Sequence, residues 1–482
     1  KHKFMIETEG AEIMQLTFCG AARAVTGSCM HIQHEGYQLL IDCGLQQGQD
    51  VIDNNQFLFQ PQQLDAALLT HCHIDHCGRL PLLVKRGFQG PIFMTEPTAY
   101  LLDMMLQESA DLQGQELRWR NQKNRRAGKP LQEPFFTLQD VKKTLQQIKI
   151  CHYGQRQTLT KDLQFCFYDA GHILGSAMIA LDYEEHGQKR KLLCSGDLGN
   201  RELPFVADPQ QLTAADTVVM ECTHGDHCYW QQHDYQQALA QILQSTFQKQ
   251  GSVIIPAAAI GRTQEILYYL QQIKQAGLVS ALPNFPVYVD NALAEEACAI
   301  YSGDYLNGYL DREALVLKKR CGALLDFPHL HLCTTTEQSR LLNQDHAPKV
   351  IIASGSTCDG GRIRHHLKHH LWRPQCTVVL LGNPRRGTLA RTLLDGAASI
   401  TLFGHEIAVQ ARVVALPVRP IHADQPALMQ WLQQLQPPPE KIFLNHGDEE
   451  TAFFLAELLQ ETSSAIYVPR YGDSFNLHEP KP

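Results

Sequence analysis

The chain has 482 residues, of which 44% are hydrophobic and 19% are charged, a composition typical of ordered globular proteins and not of disordered ones. This length exceeds what one hydrophobic core usually serves, so two domains, or one domain with a large insertion, are expected. The formal net charge of -8 argues against a surface that binds nucleic acid by bulk electrostatics, but it does not exclude a local basic groove.

Short apolar strands recur from residue 15 to about residue 220, and several of them end in a residue that can bind metal. SCMHIQHEGYQLLIDCG predicts a hairpin that turns at Glu35-Gly36 and ends at Asp42. The further strands in AALLTHCH, LQFCFYDAGH, KRKLLCSGDLG and TVVMECTHGD lead to His71, His172, Asp197 and Glu221. Because functional groups gather at the carboxyl ends of strands in α/β proteins, these strand ends predict one shared site.

The pattern changes between about residues 230 and 395, where apolar strands without alternation are each followed by a helical pattern, as in SVIIPAAAIGRTQEILYYLQQI. This alternation indicates a parallel sheet covered by helices on both faces. Two more strand-helix pairs follow and could return to the first unit. We therefore expect one domain built from segments 14–215 and 396–482, with segment 216–395 inserted as a second domain.

The sequence also bears on the cellular compartment. The 15 cysteines include no Cys-x-x-Cys pair and are odd in number, which fits reduced thiols rather than a disulfide framework. No apolar run reaches the length of a membrane span, and the first residues, KHKFMIETEGAEIM, lack the apolar core of a signal peptide. We expect a cytoplasmic protein that does not act at a membrane.

The densest cluster of candidate metal ligands lies in LLTHCHIDHCGRLPLL, where His71, His73, Asp75 and His76 fall within six positions. Zinc accepts imidazole nitrogen and carboxylate oxygen, and four such groups on a short strand-to-helix turn can point in two directions, which suits two metal ions. A single open zinc site is one alternative. The other is a polar turn in which Asp75 caps a helix.

The motif HxHxDH, followed at a distance by a glycine-flanked His172 and a glycine-flanked Asp197, resembles the metallo-β-lactamase fold of metal-dependent hydrolases. More narrowly, GAARAVTGSCM, LLIDCG, AGHILGSAM, GDLGN, IPAAAIGRTQEILYYL, GGRIRHHLKHHL and GTLARTLLDGA are similar to the β-CASP branch, the nucleases that include the pre-mRNA 3′-end cleavage endonuclease and its prokaryotic relatives. No KH-type domain is visible. The resemblance implies an α/β fold, a metallo-β-lactamase αββα sandwich with an inserted parallel-sheet β-CASP domain.

The same resemblance implies a site with two Zn²⁺ ions, for which Mn²⁺ could substitute. The matching ligands are His71, His73 and His172 for one ion, Asp75, His76 and His422 for the other, and Asp197 as the bridge. Asp42 is expected to orient the ligands by hydrogen bonding, and Glu221 to support proton transfer. The candidate catalytic residues are therefore Asp75, Glu221, His422 and Asp42.

The resemblance favours single-stranded RNA as the substrate, because RNA-processing members are similar in having a histidine at the position of His422. A metal-activated water would hydrolyse the phosphodiester bond, and whether cleavage is internal or proceeds from an end stays open. Two alternatives remain: a hydrolase of a small ester or non-RNA phosphodiester, and a non-catalytic scaffold of an RNA-processing complex. Homodimerisation through the C-terminal elements is implied by resemblance only.

Several positions are candidates for substrate contact outside the metal site. Arg385 and Arg386 lie in a predicted strand-to-helix loop where amides and guanidinium groups can hold a phosphate. His365, in RIRHHLKHHL, lies on a predicted helix near them. RWRNQKNRRAGKP collects six cations around Trp119, and it could follow a strand by phosphate pairing and base stacking or be a solvated helix face or mobile loop.

The chain also departs from the family pattern. His224 stands where tyrosine is usual, Asn291 replaces a serine, and Ile421 replaces the serine before the histidine. A histidine that family members use for proton donation is replaced at Arg391, so the leaving group needs another acid, such as His422 or a metal-bound water. His446, in LNHGDEE, resembles a His-Gly-Glu element, and a structural role is expected for it rather than metal ligation.

Overall fold

The computed structural model describes residues 13–228, 235–384 and 386–477. These residues divide into two compact units. The first comprises residues 13–203, 207–228 and 421–477, and the second comprises residues 204–206, 235–384 and 386–420. In the described part of the chain no helix is long and apolar enough to cross a membrane.

The first segment of the chain carries most of the first unit. Its strands are β1 (Gln15–Gly20), β2 (Cys29–His34), β3 (Tyr37–Ile41), β4 (Ala66–Leu68), β5 (Ile92–Thr95), β6 (Ile148–Cys151), β7 (Gln157–Thr160), β8 (Leu163–Asp169), β9 (Ala177–Glu185), β10 (Gln188–Cys194) and β11 (Thr217–Glu221). Its helices are α1 (Ile74–Cys77), α2 (Leu80–Lys85), α3 (Glu96–Arg126) and α4 (Leu138–Gln146). The predicted hairpin is confirmed: its turn residues Glu35 and Gly36 have φ angles of 48° and 81°, which a tight two-residue turn requires.

The middle segment carries the second unit. Its strands are β12 (Val253–Ala257), β13 (Val287–Asp290), β14 (Leu330–Cys333), β15 (Val350–Ser354), β16 (Thr377–Leu381), β17 (Ser399–Leu402), β18 (His405–Ala408) and β19 (Arg412–Leu416). Its helices are α5 (Tyr235–Gln248), α6 (Arg262–Gln275), α7 (Ala294–Ser302), α8 (Arg312–Cys321), α9 (Thr336–Gln344), α10 (Ile363–His370) and α11 (Leu389–Leu394).

The last segment returns to the first unit. It contributes α12 (Gln425–Gln433), β20 (Lys441–Asn445), α13 (Glu449–Leu458), β21 (Ala465–Tyr467) and β22 (Ser474–Asn476).

Two seven-stranded sheets form the first unit, with the orders β22-β1-β2-β3-β4-β5-β6 and β21-β20-β11-β10-β9-β8-β7. Hydrophobic side chains from both sheets, among them Ile32, Phe165 and Phe443, are buried in one core. Helices α12 and α13 cover the second sheet through Trp431 and Leu455, whereas α3 packs against β5 and β6 of the first sheet. The predicted αββα sandwich is confirmed.

The second unit contains a six-stranded sheet with the order β14-β13-β15-β12-β16-β19, in which every neighbouring pair is parallel. The apolar sequences of β12 and β16 lie in its interior, because helices such as α10 cover the sheet through Ile363 and Leu367. This sheet confirms the inserted α/β domain.

The unit boundaries differ from the predicted segments in two places, and strand pairing explains both. β11, which the sequence assigns to the insertion, lies between β10 and β20 in the first unit. β19, which the sequence assigns to the returning segment, pairs with β16 of the second unit. Because a strand belongs to the sheet that satisfies its backbone, the inserted unit begins after residue 228, beyond β11, and extends to residue 420, beyond β19.

Candidate metal centre

The polar residues of the first unit follow strands whose carboxyl ends lie at a common edge. In the second sheet, β10, β11 and β20 are parallel to one another, and β8 runs in the same direction because β8 and β10 are both antiparallel to β9. The loops after β8, β10 and β20 carry His172, Asp197 and His446, and Glu221 is the last residue of β11. In the first sheet, β3 and the parallel β4 lead to Asp42 and His71.

One cluster contains His71, His73, His172 and Asp197, whose nearest ligand atoms all lie within 4.8 Å of one another. Nδ1 of His73 lies 3.0 Å from Nε2 of His71 and 3.2 Å from Nε2 of His172. Oδ2 of Asp197 lies 3.4 Å from Nε2 of both His71 and His172. The four side chains predicted for one metal ion are thus brought together.

A second cluster contains Asp75, His76 and His446. Nε2 of His446 lies 3.0 Å from Nε2 of His76 and 3.6 Å from Oδ2 of Asp75. Oδ1 of Asp197 lies 3.2 Å from Nε2 of His76, so this carboxylate stands between the two clusters.

The donor atoms of both clusters fit divalent metal ions. Two imidazole nitrogens about 3 Å apart cannot both carry a proton without repulsion, so at least one nitrogen of each such pair presents a lone pair. Oδ1 of Asp197 is buried and has no hydrogen-bond partner within the described residues, which is costly for a carboxylate unless a cation is bound. Nitrogen and oxygen donors in this number suit zinc and similar ions.

In the first cluster the electrostatics favour protonation states that bind metal, whereas in the second cluster Asp197 and Asp42 outweigh burial and raise the pKa of His76 well above its usual value. Burial lowers the pKa of His71 and His172 well below the usual value and that of His73 to about 4, so these rings are neutral. Burial alone would raise the pKa of Asp197, but the histidines His446, His76 and His71 lower it well below the usual range. Neutral imidazoles and an ionised carboxylate are the forms that bind metal.

Asp42 orients the ring of His76 by hydrogen bonding to the ring nitrogen that faces away from Asp197. It follows β3 with a φ angle of 58°, and its Oδ2 lies 2.7 Å from Nδ1 of His76. Ser28 Oγ and the Thr70 amide also donate hydrogen bonds to the Asp42 carboxylate, at 3.0 and 2.9 Å. This network turns Nε2 of His76 toward Asp197 and fixes its tautomer.

His422 lies near the centre, in a third group of candidate ligands with Asp197 and His446. Its Nδ1 lies 3.0 and 3.2 Å from the two carboxylate oxygens of Glu221, whereas Oδ2 of Asp197 is 3.9 Å away. Burial alone would lower the pKa of His422, but Glu221 and Asp197 raise it to about 9. His422 thus stays near the centre but is engaged by Glu221, and His446 stands beside Asp75 and His76.

His446 was expected to be structural, yet it lies within the second cluster. It directly follows β20, and its backbone has a φ angle of 55°, which is uncommon for a residue other than glycine and clusters at functional sites. Its amide donates to the Ala21 carbonyl oxygen at 2.8 Å. The signal that could have identified it is the strand-end rule, because β20 neighbours β11 in the sheet.

The three predicted substrate-binding residues are distant in sequence from the residues of these clusters. Arg385 lies outside the described residues. Arg386 is exposed in the loop between β16 and α11 of the second unit. His365 is exposed on α10 of the same unit, and its ring stacks on Phe403 with the centroids 4.5 Å apart.

Three family models match the chain. The metallo-beta-lactamase superfamily matches residues 22–142, the Beta-Casp domain matches residues 263–393, and the Zn-dependent metallo-hydrolase RNA specificity domain matches residues 406–469.

Characterised relatives cover nearly the whole chain. Ribonuclease TTHA0252 of Thermus thermophilus is 33% identical over 461 residues, which are 95% of this chain and 99% of the relative. Transcription termination factor FttA of Methanosarcina mazei is 29% identical over 463 residues, 92% of this chain and 68% of the relative. An RNase J-like protein of Methanocaldococcus jannaschii is 27% identical and covers 93% of this chain and 96% of its own length.

A solved structure shares the fold. The crystal structure of a protein of unknown function from Enterococcus faecalis aligns with a TM-score of 0.52 and 11% identity, covering 96% of this chain and 99% of that one.

Proposed function

The chain belongs to the β-CASP branch of the metallo-β-lactamase superfamily of metal-dependent hydrolases, and we propose that it is a zinc-dependent ribonuclease of single-stranded RNA. The observation that carries the proposal is the pair of ligand clusters that share Asp197. RNA as the substrate is supported by the RNA specificity domain model at residues 406–469 and by a relative named as a ribonuclease.

The assignment of ligands follows the clusters. His71, His73 and His172 bind one zinc ion, and Asp75, His76 and His446 bind the other. Asp197 contributes to both, because its two oxygens face different clusters. His446 replaces His422 in the assignment that the resemblance implies.

The residues of these two ligand sets would hold two zinc ions, which when bound would supply a Lewis acid and lower the pKa of a water toward neutrality. The chain's own residues prepare the site for this chemistry. Asp42 holds Nδ1 of His76 at 2.7 Å and so fixes the direction of Nε2. The ionised carboxylate of Asp197 connects the two ligand sets, since its Oδ2 lies 3.4 Å from Nε2 of His71 and its Oδ1 lies 3.2 Å from Nε2 of His76.

Proton delivery to the leaving oxygen is assigned to His422. Glu221 engages Nδ1 of its ring at 3.0 Å and holds the imidazole protonated near neutral pH, with a pKa of about 9. Glu221 is itself fixed by the amide of Leu198, which donates at 2.7 Å. A positioned imidazolium of this kind replaces the general acid that is missing at Arg391.

The test is a time course with zinc-loaded protein on single-stranded RNA labelled separately at each end. The matching DNA and the Asp75→Ala variant are run in parallel, and zinc is counted by mass spectrometry. We expect cleavage of RNA alone, about two zinc ions per chain in the wild type and fewer in the variant, which should be inactive. Internal fragments would identify an endonuclease and a stepwise ladder an exonuclease.

Two results would contradict the proposal in different ways. Intact RNA together with hydrolysis of a generic phosphodiester would keep the metal site and discard RNA as the substrate. Full activity of the Asp75→Ala variant would discard the metal site itself.

A further inference from the structure

Helix α3 extends well beyond the body of the first unit. It has 31 residues, and all of its buried residues lie in its first half, from Pro97 to Ala110. Residues 111–126 bury no side chain. At a rise of about 1.5 Å per residue, this second half adds about 24 Å of helix. Together with the turn after it, this part (residues 111–130) is called the basic arm below.

The basic arm is held in one conformation by its own return segment. The side chain of Asn121 donates to the Gln132 carbonyl oxygen and accepts from the Gln132 amide, both at 2.9 Å. Asn124 donates from its side chain to the Pro130 carbonyl oxygen at 3.0 Å. One side of the helix is therefore covered by the returning chain, and the tip is a defined helical structure rather than a mobile loop.

The other side of the basic arm is cationic and open. Arg118, Gln122 and Arg125 are three or four positions apart and share one helix face, and Trp119 directly follows Arg118 in sequence. These four residues are among those that line an open groove of about 690 Å³. Trp119 is 58% exposed. Lys123 lies over its ring, with Nζ 3.4 Å from the centroid, which leaves the opposite ring face available.

The charges of the basic arm are largely without acidic partners. Residues 115–130 contain six Lys and Arg and one acid, Glu116, giving a local charge of +5 on a chain whose net charge is -8. The carboxylate of Glu116 forms an ion pair with Arg120, whose Nη2 lies 3.5 Å from Oε2 of Glu116. Among the described residues no ion pair neutralises Arg118 or Arg125. Compensation of the helix dipole accounts for cations in the last turn only, not for Arg118 or the exposed indole.

The same helix is anchored at the metal centre. Helix α3 packs beside α1, which carries Asp75 and His76. Thr95 and Thr98 donate to the Gly175 carbonyl oxygen, at 2.6 and 2.9 Å, in the loop that also carries His172. From Thr98 to Arg118 the helix rises about 30 Å, so a polyanion on the basic arm would lie well outside the centre.

We propose that the basic arm binds the single-stranded RNA substrate at a distance from the metal centre, with Arg118 and Arg125 on phosphates and Trp119 under a base. The inference rests on the proposed ribonuclease function and adds a second contact for long substrates. Cationic side chains interleaved with an exposed aromatic ring are what sequence-tolerant recognition of a single strand requires. A strongly positive patch on an otherwise acidic chain is complementary to a phosphodiester backbone.

The first test compares two double variants of equal charge change. Arg118→Gln/Arg125→Gln removes two arginines from the basic arm, and Lys142→Gln/Lys143→Gln removes two exposed lysines from α4 as the matched control. Each is loaded with zinc and assayed on an RNA several tens of nucleotides long and on a tetranucleotide. The melting temperature of each variant is measured to confirm that it is folded.

For the arm variant we expect KM on long RNA to rise by about an order of magnitude at about 0.1 M salt. The slope of log KM against log salt concentration should also fall by about 1.4, because two phosphate contacts are lost and each contact on a single strand contributes about 0.7 to this slope. Its kcat on long RNA and its kinetics on the tetranucleotide should match those of the control. Trp119→Ala should raise KM on long RNA at least about fivefold with the salt slope unchanged, since stacking is not ionic.

The possible failures are distinguishable. Equal KM values for arm and control variants on long RNA would overturn the inference and leave the ribonuclease function standing. A parallel loss on the tetranucleotide would also overturn it, because the substitutions would then act on the metal centre. If the wild type cleaved neither RNA, the proposed function would fail and the inference would fail with it.

Discussion

Each unit contains a buried cluster of histidine and aspartate, and the two clusters differ in how their polar atoms are satisfied. In the second unit, Asp290 accepts hydrogen bonds from Arg362 at 2.8 Å and from Ser339, and it pairs with His366 at 2.6 Å. The other ring nitrogen of His366 lies 2.9 Å from Asn343. In the first unit, donor atoms converge around Asp197, whose Oδ1 has no partner among the described residues.

The comparison separates a structural network from a metal centre that residue types alone would not distinguish. A closed network needs no ion and stabilises the fold, whereas a buried carboxylate oxygen without a hydrogen-bond partner favours a bound cation. The histidine-rich sequence RIRHHLKHHL therefore builds a core contact through His366, and it leaves only His365 and His369 exposed.

The largest expected effect is the loss of the shared ligand. Asp197→Ala should reduce bound zinc from two ions to at most one and reduce RNA hydrolysis to background, because both ligand sets use this carboxylate. Zinc analysis and a cleavage assay check it. If Asp197→Ala retained both zinc ions, the inferred difference between the cluster around Asp197 and the network around Asp290 would be wrong.

The next effect sharpens the ligand assignment. His446→Ala should lose zinc from the second site and its activity with it. His422→Ala should keep two zinc ions and lose about 10²- to 10⁴-fold in kcat, the usual contribution of a general acid. Metal content and single-turnover rates are measured for both. The opposite result, zinc loss in His422→Ala alone, would restore the ligand set implied by the family resemblance.

A substitution in the network around Asp290 should change the free energy of unfolding and leave the metal content unchanged. Asp290→Ala leaves the buried His366 and the guanidinium of Arg362 without their partner, which should cost about 3–5 kcal/mol in the free energy of unfolding. Denaturant unfolding of the metal-free protein measures it. Zinc content should stay at the wild-type value, and a drop would mean that the second network also supports metal.

A smaller effect is expected at Asp42, which supports the ring of His76 by hydrogen bonding. Asp42→Asn keeps the shape of the side chain but removes the charge that holds Nδ1 of His76. Loss of such a supporting hydrogen bond typically lowers metal affinity by about 10- to 100-fold. Competition with a zinc chelator is the measurement. Unchanged affinity would show that Ser28 and Thr70 alone orient the ring.

The smallest effect concerns acid stability. Burial raises the pKa of Asp290, but hydrogen bonds from His366, Ser339 and Arg362 outweigh it and lower the pKa below its usual value. The network's contribution is therefore complete above the ordinary carboxyl pKa of about 4 and is lost as the pH falls through the lowered value. Unfolding free energy measured from pH 6 to pH 2 should fall less steeply in Asp290→Asn than in the wild type.

Local sequence was sufficient for most of the fold and for the first ligand cluster. Apolar strands, the Glu35-Gly36 turn and glycine-flanked polar residues are short-range signals, and the structure confirms the sandwich and the inserted parallel sheet. The expected homodimer and the cytoplasmic location stay predictions. Each of the 15 cysteines is free in the structure, and the reduced state expected from the sequence stays a prediction.

The unit boundaries could not be read from the pattern of elements. A buried apolar strand such as β11 or β19 fits the centre of either parallel array, and its sequence carries no mark of the sheet that it joins. Only its hydrogen-bonded neighbours decide, and these come from residues far away in the chain.

By itself, the sequence determined the ligand turn, because His71, His73, Asp75 and His76 lie so close together that any strand-to-helix turn brings them to one place. Only the tertiary structure placed His446, rather than His422, beside Asp75 and His76. Both are distant in sequence and follow strand-like segments. The pairing of β20 with β11 carries His446 to Asp75 and His76, whereas Glu221 engages His422 beside the centre.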